Sequence, residues 1–198
     1  MRQELPYFQV DGHPGGDQDQ FHDIVLRFGG CAAITACDCC VCLALFHGKT
    51  HLCPEAAPEM TGPDYEAFVK RMKPHLHPTW HGIDRLELFT AGFGAYLQEV
   101  GETALTLTPF DGENAEAEAR EVIRRQIGAG MPIPFLMLRN RDKELDDYTW
   151  HWFLLTGYEE GEQGFRVRVT SYGKELWLEL GRLWDTGFAR KGGMILIK

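Results

Sequence analysis

Two side chains have the types and settings of a nucleophile and its base. Cys31 follows Gly29-Gly30 and heads a run, residues 31–46, that contains neither Gly nor Pro. Such a run reads as a helix of about four turns, punctuated by glycine on either side. A thiol on the first turn of a helix meets free N–H groups and the positive end of the dipole, both of which favour thiolate. The paired glycines leave room for a substrate backbone, which makes Gly30 a candidate substrate-binding position. His151 lies about 120 residues further on, at the head of the hydrophobic run Trp152-Phe-Leu-Leu-Thr-Gly157-Tyr158. A cysteine at a helix start and a histidine at a strand start form the arrangement of an activated thiol nucleophile. The chemistry is then acyl transfer: His151 takes the Cys31 proton, and the thiolate attacks an amide or ester carbonyl. A buried structural cysteine and a satisfied core histidine remain the plain alternatives at these positions.

The other cysteines allow a second chemistry. Cysteines stand at 31, 37, 39, 40, 42 and 53, five of them within twelve residues, unlike the dispersed pattern of a disulfide scaffold. Apolar side chains surround the 31–46 helix on almost every side and leave Thr35, Asp38 and Cys42 near one polar seam. That is the pattern of a buried central helix, in which reduced Cys packs as a small hydrophobe. Cys42, His47, His51 and Cys53 are the residues that could converge on a metal, although zinc pairs usually lie in turns. His75, His77 and His81, in one loop with Trp80, read as a solvated loop because no acidic or cysteine ligand completes the set. No metal or cofactor is expected.

Further elements must position this pair. Residues 1–30 read as an irregular lead-in with at most a turn of helix near Phe21. Helices are expected from an Asp64 cap to Met72, over 84–99 with glycines 92 and 94 as tight packing points, and over 114–127 up to Gly128. A strand fits 104–108. Short β-rich runs follow at 132–138, 148–158, 165–172, 176–180 and 194–198, separated by glycine-containing turns. Helices first and strands last predict an α+β fold, with the buried helix packed on a mostly antiparallel C-terminal sheet. It reads as one domain over residues 1–198, with a helical lobe to about 130 and a sheet lobe from about 131.

From Gly29 to Gly173 the motifs occur in the order found in papain-like cysteine peptidases. The sequence resembles that superfamily, and within it the bacterial branch related to bacteriocin-leader peptidases. The shared features are a Cys opening the central helix and His151 followed, after five residues, by Gly157-Tyr158. The resemblance implies a papain-like fold and a peptidase or amidase. It also implies an Asn that orients the imidazole; the corresponding stretch here is Thr170-Ser171-Tyr172-Gly173, which places Thr170 at that position, with Asp146 or Asp147 as stand-ins. The family's oxyanion Gln, about six residues before the Cys, is replaced by Val25. Gln20, with Gln18 further upstream, is the expected substitute beside the Cys31 backbone N–H.

Composition removes several classes. The chain has 198 residues, 44% hydrophobic and 25% charged, near the averages for a globular protein. With 29 acidic against 20 basic side chains its formal charge is -9, which argues against nucleic acid as a partner. The longest apolar run, 39–46, is far short of the roughly 20 residues that span a bilayer, and the first residues carry no apolar core of a secretory signal. A peptide or amide substrate, no membrane partner and a cytoplasmic location are therefore expected. A catalytically inactive peptide-binding relative, and a metal or redox sensor built on the cysteine-rich helix, are the alternative functions.

Overall fold

An antiparallel sheet with helices packed on each face organises the chain. The computed structural model describes residues 1–77, 82–162 and 164–198, so Trp80 and His81 lie outside the described residues. In chain order the elements are β1 (Arg2–Glu4), β2 (Gln9–Val10), β3 (His13–Pro14), α1 (Ile24–Gly29), α2 (Cys31–His47), β4 (Glu59–Met60), α3 (Gly62–Met72) and α4 (Leu86–Glu99). They continue with β5 (Leu107–Asp111), α5 (Glu116–Gly128), β6 (Ile133–Met137), β7 (His151–Gly161), β8 (Gly164–Ser171), β9 (Lys174–Glu179), α6 (Leu180–Trp184) and β10 (Gly193–Ile197). The main sheet runs β5-β10-β6-β7-β8-β9, and β1 adds to β7. All of its pairings are antiparallel. The fold is α+β.

β7 is the spine of the sheet. Its first half pairs with β6 from His151 to Leu155, and its second half pairs with β1 from Gly157 to Glu159. Between them the register to β8 shifts around Thr156. Side chains alternate across the sheet. Leu136, Trp152, Leu154, Ile195 and Ile197 join the core made with α2, α3 and α4. Their neighbours Phe135, Phe153, Leu155, Met194 and Leu196 join the core under α5 and α6.

α2 is buried at every residue from Cys31 to Ala44, as a helix apolar all round must be. Its small Ala and Cys side chains let it lie close against β7 and β6. Gly48, in the left-handed conformation at φ 68°, ends it. Gly92 is a close-packing point, since a Cβ there would stand 2.3 Å from the His75 carbonyl oxygen, whereas Gly94 faces open space.

The N-terminal lead-in is more ordered than the sequence predicts. β1 is a strand of the main sheet, and β2, β3 and β4 form a small separate sheet. The two lobes are therefore interleaved: β1 and β5, both from the first 130 residues, belong to the sheet. Composition hid this because β1, Arg-Gln-Glu, is polar and draws its place from backbone pairing.

Arg168 on β8 secures the junction. Its guanidinium, 8% exposed, donates to Thr156 Oγ1 at 2.9 Å, the Leu5 carbonyl at 2.6 Å and Glu4 Oε2 at 2.8 Å. Losing the hydrogen bonds of a charged donor and leaving buried acceptors unpaired typically costs about 1–3 kcal/mol. Arg168→Met should lower the urea midpoint by a corresponding amount with the m-value unchanged, and a midpoint near that of wild type would show the network to be dispensable.

Candidate active site

The approach to Cys31 is set by Gly30. Its N–H donates to the Leu26 carbonyl at 2.8 Å, closing α1, while its own carbonyl accepts from Ile34 inside α2. A Cβ at Gly30 would lie 2.3 Å from the Leu26 oxygen, so this position needs glycine. That corrects the substrate-binding role expected of Gly30: it is a buried joint between two helices, and the close approach it permits is to its own chain.

Cys31 follows on the first turn of α2, where helix N–H groups lack intrahelical partners. Burial is the dominant influence on its thiol and pushes the pKa up; the backbone N–H groups of Trp152, Ala32 and Cys31, which bear on the sulfur, offset this only in part. The resting group is a neutral thiol, in place of the thiolate expected from the helix dipole. With Cys31 8% exposed, desolvation exceeds the dipole.

His151 opens β7 immediately after Trp150, a non-glycine residue at φ 57°. Its ring stacks on Tyr172 with centroids 4.4 Å apart and planes 5° apart. Nε2 lies 2.8 Å from Ser171 Oγ, and Nδ1 lies 3.3 Å from the Tyr172 hydroxyl. Tyr172 donates its own proton to the Asp147 carbonyl at 3.2 Å. The Ser171 hydroxyl, which can donate or accept, is the hydrogen-bond partner of Nε2, while Tyr172 covers the ring face. Burial alone lowers the imidazole pKa to about 3, so the ring is neutral.

Cys31 and His151 line one cavity, together with Gln18, Thr35, Asp38 and Tyr172. No hydrogen bond joins the sulfur to the ring among the described residues. The cavity is narrow: the space that admits a water centre is about 10 Å³, room for roughly one water molecule.

Two further site residues are corrected. Thr170 touches this cavity, but its hydroxyl lies 2.8 Å from Thr156 Oγ1; Ser171, the next residue on β8, turns to the opposite side and meets His151. Gln20 is exposed, and its amide donates to Asp17 at 3.2 Å. Gln18 is the glutamine at the cavity, with a buried Oε1 that has no hydrogen-bond partner among the described residues. Asp38 was also missed as a site residue, although Cys31, Thr35 and Asp38 at i, i+4 and i+7 share one helix face.

The four candidate metal ligands point apart. His47 bonds the Gly130 carbonyl, His51 bonds Glu102, and Cys53 lies against Glu55, while Cys42 is buried in α2. Among the described residues no group of three or more His, Cys, Asp or Glu side chains could hold a metal ion, and no helix is long and apolar enough to cross a membrane.

Compared with protein-family models, curated proteins and solved structures, the chain matches none.

The lowered His151 pKa fixes the sign of a pH effect. The folded state binds fewer protons at this group than the unfolded chain, so its stabilisation is complete above about pH 6.5 and is lost as pH falls toward about 3. The unfolding free-energy difference between wild type and His151→Gln should shrink by about 1.4 kcal/mol per pH unit on acidification below that point. Parallel curves in urea denaturation from pH 7 to 4.5 would contradict a buried neutral imidazole.

Proposed function

We propose that the chain is a papain-like cysteine hydrolase, a peptidase or amidase, whose nucleophile and base rest uncharged beside a narrow cavity. The observation that carries this reading is that Cys31, at the N-terminus of a buried central helix, and His151, at the head of a strand, line one cavity with the Gln18 amide. The order helix, then strands, and the His151–Gly157–Tyr158 spacing support it.

In the cycle, a substrate carbonyl enters beside Cys31 and Nε2 of His151 exchanges its Ser171 bond for the thiol. The Cys31 proton passes to Nε2 as sulfur bonds the carbonyl carbon. The oxyanion accepts from the Cys31 backbone N–H and the Gln18 amide. The imidazolium then returns the proton to the leaving nitrogen as the C–N bond breaks, which leaves a thioester. Water, deprotonated at the same Nε2, attacks the thioester; the acid departs and the thiol is restored. Tyr172 and Ser171 hold the ring, the task expected of Thr170.

A silent peptide-binding relative is the second reading. It is favoured by the engagement of both ring nitrogens with hydroxyls in place of the thiol.

A peptide-amide library separates the two. Turnover should vanish in Cys31→Ala and fall roughly 100- to 1,000-fold in Gln18→Ala, the usual effect of losing one oxyanion donor. Turnover that persists in Cys31→Ala would refute the hydrolase, and saturable peptide binding without turnover would establish the second reading.

A further inference from the structure

The segment from Tyr7 to Gln20 supplies one wall of the Cys31–His151 cavity, through Gly16 and Gln18. It is fastened to the buried carboxylate of Asp38. Tyr7 donates to Asp38 Oδ2 at 2.7 Å, and the Gly16 N–H donates to Oδ1 at 3.3 Å. From α3, Tyr65 donates to Oδ1 at 2.5 Å. The approach is close enough to demand the glycine pair: a Cβ at Gly15, where φ is +68°, would lie 2.7 Å from Asp38 Oδ2, and one at Gly16 would lie 2.3 Å from the Tyr65 hydroxyl. On the other side the turn after β8 abuts the same segment, since a Cβ at Gly173 would lie 3.3 Å from His13 and 3.5 Å from Asp17.

We infer that Asp38 is a positioning residue: its carboxylate anchors the Gly15–Gly16 turn to α2 and α3, and so holds the Gln18 amide in the cavity beside Cys31. The inference rests on the hydrolase reading only for what Gln18 is held to do. Thr61 and Asp23 cap helices on the surface, but Asp38 sits inside α2 and ties partners 22 and 31 residues before it and 27 after it. A carboxylate in mid-helix surrounded by apolar residues is costly unless it is fully hydrogen-bonded, and here three donors satisfy it.

The anchor is sensitive to pH. Burial, opposed by the hydroxyls of Tyr65 and Tyr7 and the Gly16 N–H, raises the Asp38 pKa to about 6. The titratable groups around it are Tyr7 from the N-terminal segment, Tyr65 from α3 and the thiols of Cys37, Cys39 and Cys42 on α2. Arg168 on β8 lies near Cys42 and is engaged by Glu4 and Glu175. The tyrosines and thiols are neutral at pH 7. Opening the segment would hydrate Asp38 and return its pKa toward the ordinary carboxyl range, so the closed state binds more protons. Acid therefore favours closure, and the segment loosens as pH rises through about 6.

Hydrogen exchange on the intact chain, read by mass spectrometry without substrate, tests the anchor. Asp38→Ala and Tyr7→Phe should speed exchange over residues 7–20, by about tenfold for Asp38→Ala, the effect of losing hydrogen bonds to a charged group. Exchange in β6 and α5 should be unchanged. After correction for the intrinsic rate, wild-type exchange over 7–20 should rise between pH 5 and pH 7.5, and Asp38→Asn should remove that rise. Unchanged exchange at 7–20, equal acceleration throughout the chain, or the same pH dependence in Asp38→Asn would each overturn the inference. Failure of the peptide turnover assay would leave these exchange rates as they are, so the two claims fail separately.

Discussion

The site is governed by the exclusion of water where α2 packs on β7. Ala32, Ala33 and Ala36 of α2 are fully buried, and Trp152 on β7 stacks on Phe89 of α4 with centroids 4.2 Å apart. This packing brings Cys31 and His151, from distant parts of the chain, to the lining of one cavity, with the His151 ring turned to Ser171 and Tyr172. It also deprives them of the solvent that would stabilise charge on either. Position and neutrality share one cause.

Relative magnitudes decide the protonation state. A helix N-terminus stabilises a negative charge by about 0.3–1 kcal/mol, or about 2 in favourable buried geometry. Full burial of an ionisable group shifts its pKa by up to about 3–5 units, each worth about 1.4 kcal/mol. Burial wins at Cys31 despite the N–H groups around its sulfur, and at His151, whose hydroxyl partners serve a neutral ring. In the proposed cycle, charge separation belongs to the substrate complex, where the thiol proton would move as sulfur meets the carbonyl. Asp38 is the contrasting case, because three donors keep a buried carboxyl within reach of ionisation at neutral pH.

The central helix, the antiparallel order of the later strands and the two cavity residues at their heads were legible because each follows from local pattern: an apolar run bounded by glycine, or alternating hydrophobicity. The features that local pattern does not encode depend on tertiary contacts. β1 is polar and is held by pairing with β7. Thr170 and Ser171 are adjacent, and only the strand's facing decides which one meets His151. Gln18 enters the cavity in place of Gln20 because Gly15 and Gly16 press the preceding turn onto Asp38, a contact that no spacing rule encodes. The helix dipole favours a Cys31 thiolate locally, and burial overrides it.

The pH dependence of Cys31 alkylation by iodoacetamide, followed at that residue by mass spectrometry, tests the resting state most directly. A buried neutral thiol gives a rate that keeps rising through and beyond the ordinary thiol range of about pH 8.5, with no acid plateau. A fast plateau extending to pH 6 or below, abolished in His151→Ala, would reveal a preformed thiolate–imidazolium pair and contradict this account.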